Sequence, residues 1–449
     1  MLGSAFVTLR VRDRFRAKLA DGGGIVVVFL AIGATIMGVY VHVTPFDQRA
    51  NDIGSHVGVI KAAEHRHGIP LDTDCWECVQ PPAYYVVAAA VLAAAGHELP
   101  EKGMPDEKGE RILQGLAVFL GVATLACWLM TARLALRTPH ERTVASALCA
   151  FWPTLPIEAC KCSNDPMLYL IAAAALWQLV RWRTTGSAAS LAAAGALAGL
   201  APHAKITGFV VVAVFLSSLG LALVRPRRDA TRRWPRGASA GVAAIVASMV
   251  LWVFVLGHYK HWRTHVDFSS TGHAPIENKW SDFTVVHLKS FLENPWVRFD
   301  KSHVRDEFWN YLFRSSLYGE YSSGDATTRV LAYLLALTAA VLLPLVAWGF
   351  VACIVRGWRR DDRGHRELAL TVLGFMGFMV VVRLQFPIAS HQDFRFALPI
   401  VISCASMAAI AAGVVRRRLQ RRWLHLATLP GWLVVGLCLV SLWITLGWS

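Results

Sequence analysis

Charged residues are scarce in this 449-residue chain: Asp, Glu, Lys and Arg together make up 17% of it, against about 25% in a typical soluble protein. Hydrophobic residues make up 55%. Apolar runs of about 18 residues or more recur, and each is long enough to cross a bilayer core of about 30 Å. The scarcity of charge therefore excludes an ordinary soluble enzyme, and the apolar runs predict an all-α membrane protein that crosses the bilayer many times.

Acidic residues are the rarer charged class: the chain has 30 Asp and Glu and 45 Lys and Arg, which gives a net charge of +15. The basic residues occur in short clusters between apolar runs, the pattern that cytoplasmic loops of membrane proteins show. This distribution argues against nucleic-acid binding and gives each loop a predicted side of the membrane.

Several motifs are missing. The sequence has no repeat of 20–50 residues and no inverted-repeat symmetry, which argues against a solenoid and against a typical secondary transporter. It has no Gly-rich phosphate loop, which argues against a nucleotide-sugar donor. No small-residue cleavage site follows the first apolar run, so we expect an uncleaved anchor with the N-terminus inside.

Cysteines are few and scattered, and only Cys75 and Cys78 have a suggestive spacing. They fall in a loop predicted to lie outside, where a disulfide can persist. Zinc binding would require further ligands. The sequence leaves both a local disulfide and a metal site open.

The hydropathy pattern predicts about eleven transmembrane helices. They are residues 25–43, 112–131, 143–159, 166–180, a pair within 188–224, 237–257, 330–354, 368–382, 396–415 and 427–446. Residues 81–96 are apolar but too few to cross, and we expect them to form an interfacial helix. If they crossed, the arginines of 133–142 would lie outside, against the positive-inside rule.

These spans predict four parts. Residues 1–24 are a basic cytoplasmic N-terminus. Residues 25–257 form a catalytic transmembrane module with a first outer loop at 44–111. Residues 258–328 are polar and rich in aromatics and predict a small outer lobe, and 329–449 form a C-terminal transmembrane module.

Ionisable and polar side chains gather at the predicted outer ends of the spans. Such groups are costly at membrane depth and usually mark functional sites. The set comprises Asp52, His56, Lys161, Asp165, His203, Lys205, Arg383, Gln385, His391, Gln392, Asp393 and Arg395. Carboxylates and several cations on one face predict a site for an anionic substrate beside a base.

The charged members also have structural interpretations. Lys205 is placed to snorkel to the interface from a helix end. Arg395 is a possible partner of Asp393 or Asp165. Asp165 has the position of a helix N-cap.

The residues of the first outer loop have structural interpretations as well. His56 follows Asp52 by four positions on a predicted helix, so the two side chains are expected to pair locally. Tyr84 and Tyr85 would be interfacial anchors in any membrane protein.

Five motifs in this order resemble the GT-C superfamily of membrane glycosyltransferases, above all the group that contains the protein O-mannosyltransferases and the aminoarabinose transferases of lipid A. They are Asp52-x-x-x-His56, Pro81-Pro82-x-Tyr84-Tyr85, Asn164-Asp165, the Gly-Leu-Ala-x-x-x-Lys-x-x-Gly segment from Gly199 to Gly208, and Gln392-Asp393-Phe394-Arg395-Phe396. Gln80 stands where the family often has His before the two prolines.

The resemblance implies a sugar donor linked to polyprenyl phosphate and used from the outer leaflet of the inner (plasma) membrane, so that the active site faces the periplasm. The acceptor would be a hydroxyl of a glycan, a lipid or a protein. The implied chemistry requires no cofactor, and a divalent metal is possible without being implied. A surface-polysaccharide polymerase or ligase would share this chemistry and differ only in its acceptor.

Roles follow from the chemistry of such a donor. Its phosphate leaving group needs cations, and the acceptor hydroxyl needs a carboxylate base, which we assign to Asp52. Asp165 is expected to orient the acceptor or Lys205, and a single displacement would invert the anomeric carbon. The expected phosphate ligands are Lys205 and Arg395, followed by Arg383, His391 and Lys161. The expected substrate contacts are His56, Gln80, Tyr84, Tyr85, His203 and Asp393.

The main rival from another class is a transporter or flippase of lipid-linked intermediates. Transporters place ionisable residues near the bilayer midplane. Here these residues lie at one surface and no predicted span has a charged centre, which favours an interfacial enzyme.

Overall fold

The structure, a computed structural model, describes residues 23–48, 52–224, 234–259, 278–287, 289–290, 295–296, 307–319, 326–357, 363–387, 389–419 and 429–446. The regular elements in these ranges are helices. The basic N-terminus predicted for 1–24 lies outside the described residues except for its last two. Much of the predicted outer lobe, 258–328, also lies outside them.

The helices follow the apolar runs of the sequence. In chain order they are α1 Gly23–Val43, α2 Ile53–His65, α3 Ala83–Ala94, α4 Glu107–Ala135, α5 Pro139–Ala150, α6 Thr154–Ala159, α7 Asp165–Thr185, α8 Ala188–Ala204, α9 Phe209–Val224, α10 Ala238–Tyr259, α11 Trp280–Thr284, α12 Phe308–Tyr318, α13 Ala326–Gly357, α14 His365–Gln385, α15 Val401–Leu419 and α16 Leu429–Leu446. Short 3₁₀ helices join several of them, including Phe394–Ile400 directly before α15.

Seven helical segments of the described residues are long and apolar enough to cross a membrane. They are Gly23–Val43, Glu107–Ala135, Ile206–Val224, Ala238–Val255, Ala326–Gly357, His365–Gln385 and Phe394–Leu419, and three shorter apolar helices accompany them. The chain is thus an all-α polytopic membrane protein, as its composition predicts.

One predicted span is not a continuous helix. The sequence predicts a single helix over 143–159, whereas the structure has α5 and α6 separated by Phe151, Trp152 and Pro153. Pro153 has no backbone N–H and disfavours helical backbone at the residue before it, so α5 ends at Ala150. The segment that follows α6, residues 160–164, is buried and contributes Lys161 and Asn164 to the region of the site described below.

The short apolar segment at 81–96 forms α3, which has 12 residues. At 1.5 Å per residue such a helix spans about 18 Å, too little to cross a bilayer core of about 30 Å. Its buried side chains Tyr84, Tyr85, Ala88 and Leu92 pack with α2 in a hydrophobic cluster of their own. The predicted short helix is therefore present.

Glycine allows two helices of the bundle to touch. Gly195 of α8 lies against Gly241 of α10, and a Cβ at Gly195 would clash with the backbone of Gly241. Membrane helices use such small residues because they let backbones approach closely.

We expect Gly195→Val to lower the free energy of unfolding by about 1–3 kcal/mol, the usual cost of overpacking. Gly220→Val in α9 is the matched control, since no atom lies within 4 Å of a Cβ there. Thermal unfolding in detergent measures both variants, and equal midpoints would show that the α8–α10 contact is not close.

Candidate active site

A buried ion pair joins the beginning of α7 to the end of α8. The Lys205 ammonium nitrogen lies 2.7 Å from each carboxylate oxygen of Asp165, and the two side chains are 10% and 3% exposed. Lys205 therefore does not snorkel. Asp165 does not cap α7 either: the N-cap residue is Asn164, whose side chain makes no capping bond. Removing one partner of such a pair would leave the other as an uncompensated buried charge.

A second carboxylate–cation pair links distant parts of the chain. Asp52, at the N-terminus of α2, has a carboxylate oxygen 3.5 Å from Nη1 of Arg395. Arg395 lies in the 3₁₀ helix Phe394–Ile400. The Asp52 side chain is 33% exposed, so this carboxylate, unlike that of Asp165, faces a solvent-accessible region.

The aromatic ring of Phe396 connects the two pairs. The Lys205 ammonium lies 4.8 Å and the Arg395 guanidinium carbon 5.1 Å from the ring centroid. Both distances are within the range of a cation–π interaction. Phe396 belongs to the Gln392–Phe396 motif, which predicts no role for its ring. The structure makes it the common neighbour of both cations.

His56 and Tyr85 extend the site behind Asp52. Nε2 of His56 lies 3.5 Å from an Asp52 oxygen, as its position four residues later predicts. Its Nδ1 lies 2.8 Å from the buried Tyr85 hydroxyl. Since Asp52 is an acceptor when ionised, the consistent tautomer has Nε2–H donating to Asp52 and Nδ1 accepting from the tyrosine.

Electrostatics keep Asp52 ionised. Burial raises the pKa of its carboxyl, but the hydrogen bond from His56 and the charges of Arg395, His56 and Lys161 lower it by more. The resulting pKa lies well below the usual range of an aspartate. Asp52 is thus a carboxylate at neutral pH, in the state in which it can accept a proton.

Gln80 and Tyr84 hold the segment between α1 and α4 against the segment before α7. The Asn164 amide donates to Gln80 Oε1 over 3.4 Å, and Gln80 Nε2 donates to Glu77 over 2.9 Å. The Tyr84 hydroxyl donates to the sulfur of Cys162 over 3.5 Å. Tyr84 and Tyr85 are fully buried, so the interpretation of both as interfacial anchors is wrong.

The cysteine pair that the sequence left open is a disulfide, Cys75–Cys78. It links the N-cap residue of the 3₁₀ helix Trp76–Val79 to Cys78 within that helix, which Gln80 follows directly. Among the described residues no three His, Cys, Asp or Glu side chains meet in a way that could hold a metal ion.

Lys161 has a partner that sequence reasoning did not consider. Its ammonium lies 2.9 Å from the carboxylate oxygens of Glu158, and both side chains are almost fully buried. The two residues are three positions apart across the end of α6, a spacing that could have indicated the pair. Lys161 still acts on Asp52 and Asp165 through its charge.

Two other predicted residues, Arg383 and His203, have contacts in neighbouring parts of the bundle. Arg383 is buried and donates to Asn278 and to Gln392, with Asp282 at 3.7 Å. His203 bonds to Ser248 of α10 through Nε2, at 3.0 Å from the carbonyl oxygen. These contacts fasten α8 to α10, and α14 to residues 278–282 and to Gln392.

Hydrogen bonds from side chains to its backbone hold the loop that carries Arg395. Asp393 caps the 3₁₀ helix by accepting from the Arg395 N–H over 2.8 Å. The Tyr169 hydroxyl donates to the Arg395 carbonyl over 2.9 Å. His391 donates from Nδ1 to the carbonyl of Phe386 over 2.9 Å. Asp393 and His391, predicted as substrate and phosphate contacts, thus shape the loop.

No family model matches the chain, and a comparison with curated proteins finds no match. Solved structures do match. The oligosaccharyltransferase AglB of Archaeoglobus fulgidus, in complex with an inhibitory peptide and a dolichol-phosphate, superposes with a TM-score of 0.53 at 12% identity over 94% of this chain and 55% of that one. Its apo form gives a TM-score of 0.51 at 13% identity, over 94% of this chain and 56% of that one.

ArnT from Cupriavidus metallidurans bound to undecaprenyl phosphate also matches, at 13% identity over 89% of this chain and 80% of that one, but its TM-score of 0.37 is too low to support a conclusion. The chain spans just over half the length of AglB. At this identity the likeness concerns the fold. The chain has a membrane fold similar to that of an archaeal oligosaccharyltransferase.

Proposed function

We propose that this protein is a membrane glycosyltransferase that moves a sugar from a polyprenyl-phosphate donor to an acceptor hydroxyl. The observation that carries the proposal is the cluster of two carboxylate–cation pairs, Asp52–Arg395 and Asp165–Lys205, around Phe396. It combines an accessible carboxylate with cations of the kind that a phosphate leaving group requires. AglB, whose fold is similar, has been captured with a dolichol-phosphate, which supports a lipid-phosphate donor here.

The reaction is a single displacement at the anomeric carbon. The acceptor oxygen attacks that carbon and forms the new glycosidic bond, while its proton passes to the Asp52 carboxylate. The bond from the anomeric carbon to the phosphate oxygen breaks, and its electron pair stays on the phosphate. The products are the glycosylated acceptor and polyprenyl phosphate, and the anomeric configuration is inverted.

The carboxylates of Asp52 and Asp165 have different roles in this reaction. Asp165 is almost fully buried and both of its oxygens contact Lys205, so it serves as the counter-ion that fixes this ammonium. Asp52 is the more exposed carboxylate and is ionised, which supports it as the group that reaches the acceptor hydroxyl. Lys205 and Arg395 remain the proposed phosphate ligands.

The site would lie at the outer face of an inner membrane. Its residues come from the ends of spans that the arginine clusters orient with their other ends inside. The proposed modules 25–257 and 329–449 both contribute, because Arg395 of the second reaches Asp52 of the first. The glycan, lipid or protein acceptor is expected to approach from the first outer loop.

Donor class and stereochemistry test the proposal. Purified protein is incubated with an α- or β-configured sugar on polyprenyl phosphate, on polyprenyl diphosphate and on a nucleotide. We expect turnover of the monophosphate and a product of opposite anomeric configuration by NMR. Turnover of the nucleotide sugar alone would contradict the donor assignment, and retention would contradict the single displacement.

We expect Tyr85→Phe to slow transfer by about 2- to 13-fold, the equivalent of one hydrogen bond of about 0.5–1.5 kcal/mol. The hydroxyl that holds His56 in the tautomer donating to Asp52 would be lost. Tyr84→Phe is the matched control, because its hydroxyl contacts a sulfur at 3.5 Å. Equal rates in the two variants would remove His56 and Tyr85 from the positioning of Asp52.

A further inference from the structure

We propose that Arg395 is a movable phosphate ligand, which Asp52 holds until the donor binds. The donor phosphate then takes the guanidinium from the carboxylate, and this exchange frees Asp52 to accept the proton of the acceptor. The inference rests on the proposed function and adds an order of events to it, in which donor binding switches on the base.

The two ion pairs of the site differ in strength. Lys205 is 2.7 Å from both oxygens of Asp165, and that pair is buried. Arg395 approaches Asp52 at 3.5 Å, beyond the usual hydrogen-bond range, and the Asp52 and Arg395 side chains are 33% and 14% exposed. A partly accessible and loosely matched pair contributes less to stability than a buried bidentate one. Asp52–Arg395 is therefore the pair that a competing anion can separate.

The backbone of Arg395 is fixed, so the exchange requires only a movement of the side chain. Its N–H donates to Asp393 and its carbonyl accepts from Tyr169. The preceding residue, Phe394, donates its N–H to Ser315 over 2.9 Å. A long side chain on an anchored backbone can turn from one anion to another beside the Phe396 ring.

Guanidinium chemistry favours the phosphate as the new partner. The planar fork of arginine matches two phosphate oxygens at once, and charge-assisted bidentate bonds are stronger than a single long contact. Lys205 cannot take this role equally well, because two donors of its ammonium are directed at Asp165. It supplies a fixed positive charge instead.

The exchange also explains how Asp52, whose pKa is strongly lowered, can act as the base. A carboxylate whose pKa is strongly lowered is ionised but accepts protons weakly. The groups facing Asp52 are His56 from α2, Lys161 from the segment before α7, Arg395, and the Tyr85 hydroxyl from α3. Departure of Arg395 removes one of the lowering charges, which moves the pKa of Asp52 toward its ordinary value and makes it a better base.

The test is a double-variant cycle for binding of polyprenyl phosphate, without a sugar, in detergent micelles. Titration is followed by intrinsic tryptophan fluorescence or calorimetry. Asp52→Asn should bind the lipid about 1.4- to 5-fold more tightly than wild type, the factor that corresponds to the 0.2–1 kcal/mol of an accessible ion pair. Arg395→Gln should bind it at least about 10-fold more weakly, because charge-assisted bonds are lost.

The decisive variant is Asp52→Asn in the Arg395→Gln background. If Asp52 competes for Arg395, its removal has no effect once the arginine is absent. A gain of the same size in both backgrounds would reflect simple repulsion between Asp52 and the phosphate and would overturn the inference while leaving the proposed function intact. Failure of wild type to bind polyprenyl phosphate would overturn both.

Thermal unfolding of each variant shows whether it is folded. Should Arg395→Gln fail to fold, Arg395→Lys replaces it, because lysine keeps the charge and lacks the fork. The same cycle then predicts a smaller gain from Asp52→Asn than in wild type. An undiminished gain in the lysine background would contradict the exchange.

Discussion

Asp52→Asn is expected to slow sugar transfer by about 10²- to 10⁴-fold, the usual contribution of a general base. The amide has nearly the same shape as the carboxylate but accepts no proton. The substitution also leaves His56 and Tyr85 in place, so the variant should fold and should still bind polyprenyl phosphate. Single-turnover measurement of sugar transfer from a polyprenyl-phosphate donor gives the chemical rate separately from binding.

Asp47→Asn is the control for this variant. Asp47 also follows α1, but its side chain is exposed in a 3₁₀ turn. The control should transfer sugar at the rate of wild type. Asp52→Asn with that same rate would end the assignment of the base, and the cluster around Phe396 would then need another catalytic carboxylate.

Lys205→Met is expected to lower the free energy of unfolding by about 3–5 kcal/mol, because Asp165 would become an unpaired buried charge. Thermal unfolding in detergent measures the loss. Lys102→Met is the control, since Lys102 is exposed between α3 and α4 and its removal should change the midpoint little.

The double variant Lys205→Met/Asp165→Leu separates structure from function. Replacing both members of a buried pair by apolar side chains is often neutral or stabilising, so much of the lost stability should return. The double variant should still bind polyprenyl phosphate more weakly than wild type does, because the fixed cation is absent. Recovery of stability together with wild-type affinity would make the Lys205–Asp165 pair purely structural.

The membrane fold could be predicted from the sequence because hydrophobic length is a strong one-dimensional signal. Each predicted span apart from 143–159 coincides with a helix to within a few residues. The break in that span has a local signal in Pro153, but the apolar residues around it continue the hydrophobic run and favour a single helix. The pairing of His56 with Asp52 was predictable for a similar reason, since four positions bring two side chains to one face of a helix.

Contacts between distant elements could not be predicted in the same way. The sequence offers both Asp165 and the membrane interface as partners of Lys205 and does not decide between them, and nothing in it indicates that Arg395 meets Asp52 across 343 positions. Arg383 and His203 lie at the predicted outer ends of helices, and that position alone predicts a place in the site. Their partners, Asp282 and Ser248, come from other elements and are brought to them by packing.

The most direct test of the account is whether purified wild-type protein converts a polyprenyl-phosphate sugar to polyprenyl phosphate in detergent. Water can serve as a poor acceptor, so release of free sugar is measurable before the natural acceptor is identified. The account predicts release that requires Asp52 and persists in Asp47→Asn. Tight binding of the donor with no release, even when hydroxyl acceptors of glycans, lipids and peptides are supplied, would contradict it and favour movement of the lipid-linked sugar across the membrane.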